Sequence, residues 1–301
     1  MAGLDANMLC LIKALAENKI QEAKIAAIAC CANDDTKKNA GVVNYYKKLL
    51  TNSSVKMFEV PANLSGLLNM QDVSSFNEQR YYVGEQQKRT FAEIERGVLV
   101  TCKLTEYGIP YMNSTLIYGE AGTGKTEFAK YTAYKLGLPY AYLNFSYLID
   151  SLMGGTAKNL KRIFDYCKGQ RCVLMLDEID CIGIARGRDG GTDGELARTT
   201  IALMQALDEL VDGQVVIAAT NRADRLDKAL LRRFQRKTEF SRYEADEAQE
   251  MIKTYINSVD ERFMTEEILN FGKASHTQAE TVTFLIDKIA EAVVMNNIAT
   301  D

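Results

Sequence analysis

Residues Thr115–Gly137 read TLIYGEAGTGKTEFAKYTAYKLG: an apolar run, a glycine-rich turn and a helical run in direct succession. Gly119–Thr126 matches the pattern GxxxxGK[ST] at every fixed position. Small residues let successive backbone N–H groups turn inward around phosphate oxygens, and the following helix directs its positive end to the same place. The segment therefore predicts a strand, a phosphate-binding loop and a helix, with Gly137 as the helix stop.

The side chains at the end of this loop suit a nucleoside triphosphate and its Mg²⁺ ion. Lys125 supplies a positive charge to the β- and γ-phosphates, and the hydroxyl of Thr126 is the expected metal ligand. The alternative is a chance match in a glycine-rich turn, which would not require the flanking strand and helix patterns. The predicted nucleotide-binding residues are Gly119, Glu120, Ala121, Gly122, Thr123, Gly124, Lys125, Thr126 and Glu127.

Polar side chains follow two further apolar runs. CVLMLDEID (Cys172–Asp180) places Asp177 and Glu178 at the end of a strand, and VVIAATN ends in Asn221. In an open α/β sheet, ligands bind at the carboxyl ends of the strands. Asp177 therefore suits Mg²⁺, and Glu178 suits a general base that polarises the attacking water. Asn221 could orient that water or sense the γ-phosphate, although alone it would be an ordinary turn residue.

The periodicity divides the 301 residues into three regions. Residues 1–75 have helical spacing and predict a helical N-terminal region of unknown role, either a packing module or an adaptor surface. Residues 76–242 alternate short apolar runs with helical segments, which predicts an α/β fold with a parallel sheet flanked by helices. Residues 243–301 return to helical spacing and predict a small all-α domain.

Composition argues against several classes of protein. No run reaches the roughly 18 to 20 apolar residues of a membrane helix, so we expect a cytoplasmic protein without a membrane segment. Seven scattered cysteines and one histidine disfavour a disulfide framework or a zinc site. A net charge of −4, with both signs interspersed, does not indicate nucleic-acid binding.

The order and spacing of GEAGTGKT, LMLDEID and AATNRADRLDKALLRRF resemble the AAA+ ATPases, specifically the AAA branch. The resemblance covers about residues 76–301. It implies a P-loop NTPase sheet followed by a helical lid domain, and an ATP hydrolase that uses ATP and Mg²⁺. It also implies a homo-oligomeric, hexameric ring that remodels a protein substrate in a chaperone-like manner.

The resemblance also assigns residue roles. Asn221 corresponds to the family's sensor-1 residue. Arg233 and the adjacent Arg232 fall where the family places arginine fingers, which reach the nucleotide of the neighbouring subunit and stabilise transition-state charge. The short insert that usually separates two finger arginines is missing from LLRRFQRKTEF. Arg233 is the first choice and Arg232 the second, and a solvated basic turn is the alternative.

Two segments correspond to the family's central-pore loops. In the first, the family normally has an aromatic, an aliphatic and a glycine, and this sequence has Leu152, Met153 and Gly154. The missing aromatic argues against strong threading of a polypeptide. Burial of Leu152 and Met153 in the core is an equal alternative. The glycine-rich segment 183–199 corresponds to the second loop or to an ordinary connection. His276 either is exposed or lies near the adenosine.

Two other functions remain open from the sequence. One is a nucleic-acid-associated loader or mobile-element accessory ATPase, which acts as an ATP-controlled assembly switch. The other is a nucleotide-binding scaffold without hydrolysis, which the complete set of motifs disfavours. A protein-remodelling ATPase is the favoured hypothesis.

Overall fold

The computed structural model describes residues 5–16, 20–33, 39, 41–44, 46–47, 60–61, 63–109, 111–150, 155–169, 171–182, 193–210 and 214–298. Leu152, Met153 and Gly154 lie outside the described residues, as does the part of the second predicted pore loop between residues 183 and 192. The predictions for these two loops therefore stay predictions.

A six-stranded sheet forms the centre of the protein. Five strands are parallel and one edge strand is antiparallel, in the spatial order β1-β3-β4-β5-β2-β6. The strands are β1 Asn69–Gln71, β2 Asn113–Tyr118, β3 Tyr140–Asn144, β4 Val173–Asp177, β5 Val215–Thr220 and β6 Arg236–Glu239. The three central strands β4, β5 and β2 are largely buried, as expected for parallel strands covered on both faces. The predicted α/β fold and its five parallel strands are confirmed.

Helices cover both faces of the sheet and form the flanking regions. They are α1 Ala6–Ala16, α2 Ile20–Asn33, α3 Glu85–Glu106, α4 Lys125–Leu136, α5 Phe145–Asp150, α6 Thr156–Gly169, α7 Asp193–Asp208, α8 Lys228–Leu231, α9 Ala245–Asn257, α10 Glu266–Phe271 and α11 Gln278–Ile298. The predicted stop of α4 is confirmed, because Gly137 caps this helix in the left-handed conformation.

The sheet separates two hydrophobic cores. Successive residues of a strand point to opposite faces, so Leu174 joins the core beneath α6 and α7, whereas Val173 joins the core beneath α3 and α4. Phe164 of α6 and Phe128 of α4 are fully buried on the two sides. This three-layer packing fixes the loops at the carboxyl edge of the sheet.

The sheet-containing unit begins before the predicted boundary at residue 76. Strand β1 pairs with β3 in antiparallel register, with Met70 opposite Ala141, and both Leu64 and Leu68 are buried in the core beneath α6 and α7. The sequence pattern does not predict β1, because this strand has only three residues, NMQ, and lacks the apolar run that marks the other strands.

The C-terminal helices form a small cluster of their own around Ile252, Ile256, Ile268 and Leu285, which agrees with the predicted all-α region. At the other end, α1 packs against α2. Among the residues that the structure describes, no helix is both long and apolar enough to cross a membrane.

Candidate active site

The predicted polar residues meet at the carboxyl edge of the sheet. Strands β4, β5 and β2 are parallel neighbours, so the segments that follow them emerge side by side. They border a cavity of about 870 Å³ that lies between the sheet edge and the C-terminal helices. The predicted site residues lining the cavity are Ala121, Gly122, Gly124, Lys125, Thr126, Glu127, Asp177, Glu178 and Asn221.

The glycines of the loop hold conformations and spacings that other residues would not allow. Gly119 has φ 145°, and a Cβ there would lie 2.0 Å from the carbonyl oxygen of Phe240. Gly122 has φ 84°, and its carbonyl accepts a hydrogen bond of 3.0 Å from the backbone N–H of Ala279 on α11. Gly124 has φ 80° and begins α4. The loop therefore has the backbone conformations that its glycines allow, and it contacts the C-terminal helices directly.

Lys125 is folded along the inside of this loop. Its Nζ donates hydrogen bonds to the carbonyl oxygens of Gly119 (2.8 Å) and Glu120 (2.7 Å). Burial of the ammonium group lowers the pKa of Lys125, whereas Asp177 and two other carboxylates act in the opposite direction. The charge therefore stands in a poorly solvated place where an anionic ligand would be bound strongly.

Asp177 is held by three hydrogen-bond donors. Its Oδ2 accepts from the hydroxyls of Thr126 (3.1 Å) and Tyr142 (3.2 Å), and its Oδ1 accepts from the backbone N–H of Glu178 (3.0 Å). Burial raises the pKa of Asp177, and the hydrogen bonds from Thr126 and Tyr142 offset part of this effect.

The pair Thr126 and Asp177 fits Mg²⁺. Both offer hard oxygen ligands, and Mg²⁺ is usually bound by one or two protein groups together with substrate phosphates and water. Within the described ranges, there is no cluster of three or more His, Cys, Asp or Glu side chains that could form a complete metal site.

Glu178 has an unusual backbone conformation. With φ 57° it is the one non-glycine residue with positive φ in the described part of the chain, and such conformations are concentrated at functional sites. The hydroxyl of Ser146, at the start of α5, donates a hydrogen bond of 2.7 Å to its Oε2 and lies 3.0 Å from Sγ of Cys181. Glu178 thus faces the cavity, and its carboxylate is oriented by Ser146 of α5, the helix that follows the neighbouring strand β3.

Asn221 lies at the end of β5 and lines the same cavity. The turn is fixed by Thr220, whose hydroxyl donates to Oδ1 of Asp180 (2.6 Å) and accepts from the backbone N–H of Arg222 (2.9 Å). The carboxyl edge of the sheet thereby brings Asn221 to the acidic pair, as the sequence predicts.

An aromatic end of the cavity was missed in the sequence. Tyr243 donates a hydrogen bond of 2.8 Å to Oε1 of Gln87, a buried residue that also accepts from the backbone N–H of Gly84. The residues that line this end include Phe76, Tyr81, Tyr82, Gln87, Tyr243, Met251, Tyr255 and Val282. The adjacent aromatic residues Tyr81 and Tyr82, shortly before α3, are visible in the sequence. No known motif relates their position to that of the phosphate loop, so the sequence does not place them at the site.

The structure does not bring the two predicted finger arginines to this cavity. Arg232 is exposed, and Arg233 lies with Nε 3.3 Å from Oδ1 of Asp208 and donates from Nη1 to the carbonyl of Ala229. Neither arginine lines the cavity as the structure describes it. Within one chain, the site is therefore formed without them.

Four further predicted residues do not line the cavity as the structure describes it: Gly119, Glu120, Thr123 and His276. Glu120 forms a two-point ion pair with Arg242, at 2.8 and 2.7 Å, and Arg242 also donates to the carbonyl of Ser275. His276 stacks on Phe271 with ring centroids 3.9 Å apart, away from the cavity lining. Glu120 thus connects the phosphate loop to the C-terminal helices.

Three features define a P-loop nucleotide-binding protein. They are the strand-loop-helix unit of β2 and α4, the acidic pair at the end of β4, and the helices packed opposite this edge of the sheet. Residues 115–242 match the model of the family "ATPase family associated with various cellular activities (AAA)". The resemblance to the AAA+ superfamily that was inferred from the motifs is confirmed for this region of the chain.

Several curated proteins are similar to the same region. "Uncharacterized AAA family ATPase y4kL" of Sinorhizobium fredii is 36% identical over 143 residues, which are 48% of this chain and 43% of that protein. "ATP-dependent zinc metalloprotease FtsH 1" of Salinibacter ruber is 33% identical over 175 residues, 56% of this chain and 26% of that protein. "Probable 26S proteasome regulatory subunit 10B" of Caenorhabditis elegans is 34% identical over 181 residues, 58% of this chain and 45% of that protein. The chain thus matches less than half of the length of these relatives.

Proposed function

We propose that the protein hydrolyses ATP to ADP and phosphate with Mg²⁺ as cofactor. One observation carries this proposal. The hydroxyl of Thr126 lies 3.1 Å from the carboxylate of Asp177, and both face the cavity that also contains Lys125 and Glu178. A loop suited to phosphate, a pair suited to a metal ion and a candidate base thus border one cavity, and all three are groups that phosphoryl transfer to water uses.

Each residue has a role that follows from its position. Backbone N–H groups of the loop and Nζ of Lys125 bind the β- and γ-phosphates. Thr126 and Asp177 would hold the metal ion, which supplies positive charge to the phosphate oxygens. Glu178 accepts a proton from the attacking water, and Asn221 orients that water.

The aromatic end of the cavity provides space for the nucleoside. Tyr82 and Tyr243 meet edge to face with centroids 5.4 Å apart, and Tyr255 closes the wall from α9. Flat apolar surfaces with a few polar groups favour a stacked base such as adenine.

We further propose that hydrolysis takes place between subunits of a homo-oligomeric ring, hexameric by resemblance to the family. The support is that Arg233 and Arg232 lie outside the cavity of their own chain, although transition-state charge in this chemistry is usually stabilised by an arginine. A neighbouring subunit could supply it.

The substrate of the proposed ring is a protein that it remodels or unfolds. Two of the relatives carry names that associate them with proteolysis, a zinc metalloprotease and a proteasome regulatory subunit. The net charge of −4 offers little support for a nucleic-acid partner.

Binding and turnover measured on three forms of the full chain test the site. We expect Lys125→Ala to weaken ATP binding, because the phosphates lose their buried positive charge. Glu178→Gln should bind ATP with unchanged affinity and lose turnover by a factor of about 10² or more. Normal turnover in Glu178→Gln would contradict the assignment of the base.

A further inference from the structure

Tyr142 on β3 reaches across to the carboxylate of Asp177 at the end of β4. Its hydroxyl lies 3.2 Å from Oδ2 of Asp177. The ring of Tyr142 stacks on that of Tyr140, with centroids 6.2 Å apart and planes 29° apart, because residues two apart on a strand share a face. Tyr142 itself is not part of the described cavity wall. It therefore acts on the site through Asp177.

The direction of this hydrogen bond is fixed by Asn144. Oδ1 of Asn144 accepts from the backbone N–H groups of Ser146 (2.8 Å) and Tyr147 (3.3 Å), at the start of α5. The amide must therefore present its Nδ2 to the hydroxyl of Tyr142, 3.3 Å away. An amide NH₂ can only donate. The hydroxyl accepts from Asn144, and its single hydrogen is left for Asp177.

Tyr142 and Thr126 share one oxygen of the carboxylate. Both hydroxyls approach Oδ2 of Asp177, whereas the backbone N–H of Glu178 approaches Oδ1. Donors on both oxygens prevent the carboxylate from rotating. Because Thr126 donates its hydrogen to Asp177, its lone pairs remain free to face a cation.

We propose that Tyr142 is a positioning residue for the magnesium site: it orients Asp177 so that the carboxylate and the hydroxyl of Thr126 face the same point. This inference rests on the proposed function of the site. In metal sites generally, groups that hydrogen-bond to the metal ligands orient those ligands. Loss of such a group typically lowers the affinity for the metal by about 10-fold to 100-fold.

Tyr140 offers a matched control. It lies on the same face of β3, two residues before Tyr142, and stacks on its ring. Its hydroxyl is buried and has no hydrogen-bond partner among the described residues. Tyr140→Phe and Tyr142→Phe therefore remove the same atom from neighbouring rings, and only one of them contacts Asp177.

The experiment measures binding of AMP-PNP, a non-hydrolysable ATP analogue, to the full chain by calorimetry. Each titration is made in excess EDTA and then at increasing Mg²⁺ concentration. We expect Tyr142→Phe to bind AMP-PNP normally in EDTA and to need about 10-fold more Mg²⁺ for the half-maximal gain in affinity. Tyr140→Phe should behave as the unsubstituted chain in both conditions.

Three results would overturn the inference. They are an unchanged Mg²⁺ requirement in Tyr142→Phe, an equal shift in Tyr140→Phe, or a loss of AMP-PNP binding by Tyr142→Phe in EDTA, which would indicate a structural role of the hydroxyl. If the unsubstituted chain binds no AMP-PNP in either condition, the proposed function is itself contradicted, and the inference is overturned with it.

Discussion

A Cβ atom at Gly119 would lie 2.0 Å from the carbonyl oxygen of Phe240. Phe240 follows β6 and donates its backbone N–H to the carbonyl of Tyr118, at 2.7 Å. The phosphate loop therefore leaves β2 in close contact with the backbone of the adjacent strand. Only a residue without a side chain fits at this position.

Gly119→Ala should destabilise the protein more than a left-handed glycine elsewhere. We expect the free energy of unfolding to fall by about 2 kcal/mol or more, since both the conformation at φ 145° and the backbone clash oppose the methyl group. Chemical denaturation measures this loss.

The control for this variant is Gly137→Ala at the end of α4. Gly137 has φ 63°, but a Cβ there would meet nothing within 4 Å. It should lose only about 1 kcal/mol, the strain of the left-handed conformation alone. Equal losses in the two variants would show that the contact with Phe240 is not limiting.

Asp177→Asn should raise the melting temperature of the nucleotide-free protein near neutral pH. Burial raises the pKa of Asp177 above that of the unfolded chain, so the ionised carboxylate destabilises the folded state at pH values above its folded pKa. As the pH falls from that raised pKa towards the lower pKa of the unfolded chain, the folded carboxyl gains a proton first and the penalty disappears. The advantage of Asn should therefore shrink in acid, as thermal unfolding across a pH series would show.

Asp287→Asn on α11 is the matched control, because Asp287 is exposed. This variant should change the melting temperature little at any pH. A lower melting temperature of Asp177→Asn at neutral pH would mean that the three hydrogen bonds to the carboxylate outweigh its burial. The higher melting temperature that we expect for Asp177→Asn is typical of a ligand-binding site, where residues needed for binding often lower the stability of the free protein.

Arg233 should act on the nucleotide of a neighbouring subunit. In the single chain, its guanidinium lies near Asp208, 3.3 Å from the nearer carboxylate oxygen, outside the cavity that holds Glu178. We expect Arg233→Ala to lower kcat by about 10³-fold or more while leaving ATP affinity unchanged.

Mixing inactive subunits tests whether this action crosses an interface. Arg233→Ala subunits keep Glu178, and Glu178→Gln subunits keep Arg233, so a mixed oligomer contains some complete sites. Partial recovery of turnover is expected on mixing, and Arg232→Ala in place of Arg233→Ala tests the second choice. Mixtures that stay as inactive as their components would place both residues in the same site, and normal turnover of Arg233→Ala alone would remove the arginine from the mechanism.

The sequence predicted the parts of the site that lie within single segments. Lys125 and Thr126 belong to one loop motif, and Asp177, Glu178 and Asn221 each come at the end of an apolar run, so local patterns and the rule of the carboxyl edge predicted that they border one cavity. Their binding and catalytic roles stay predictions. Strand β1 was missed because three residues without an apolar run carry no periodic signal.

The other parts of the site could not be predicted, because they form only where segments distant in the sequence come into contact in the fold. Tyr142 and Ser146 contact the acidic pair only because β3 lies beside β4 in the sheet, and neither belongs to a motif. The aromatic end of the cavity combines residues before α3 with residues of α9 and α11. The roles of Arg233 and Arg232 depend on a second subunit and stay predictions.

The most direct test of the account is Mg²⁺-dependent ATP turnover per chain over a wide range of protein concentration, with Glu178→Gln as the control. We expect a steep rise of specific activity with concentration, absent in Glu178→Gln, because each site is completed by a neighbouring subunit. A specific activity that is substantial and independent of concentration down to the monomeric form would contradict it.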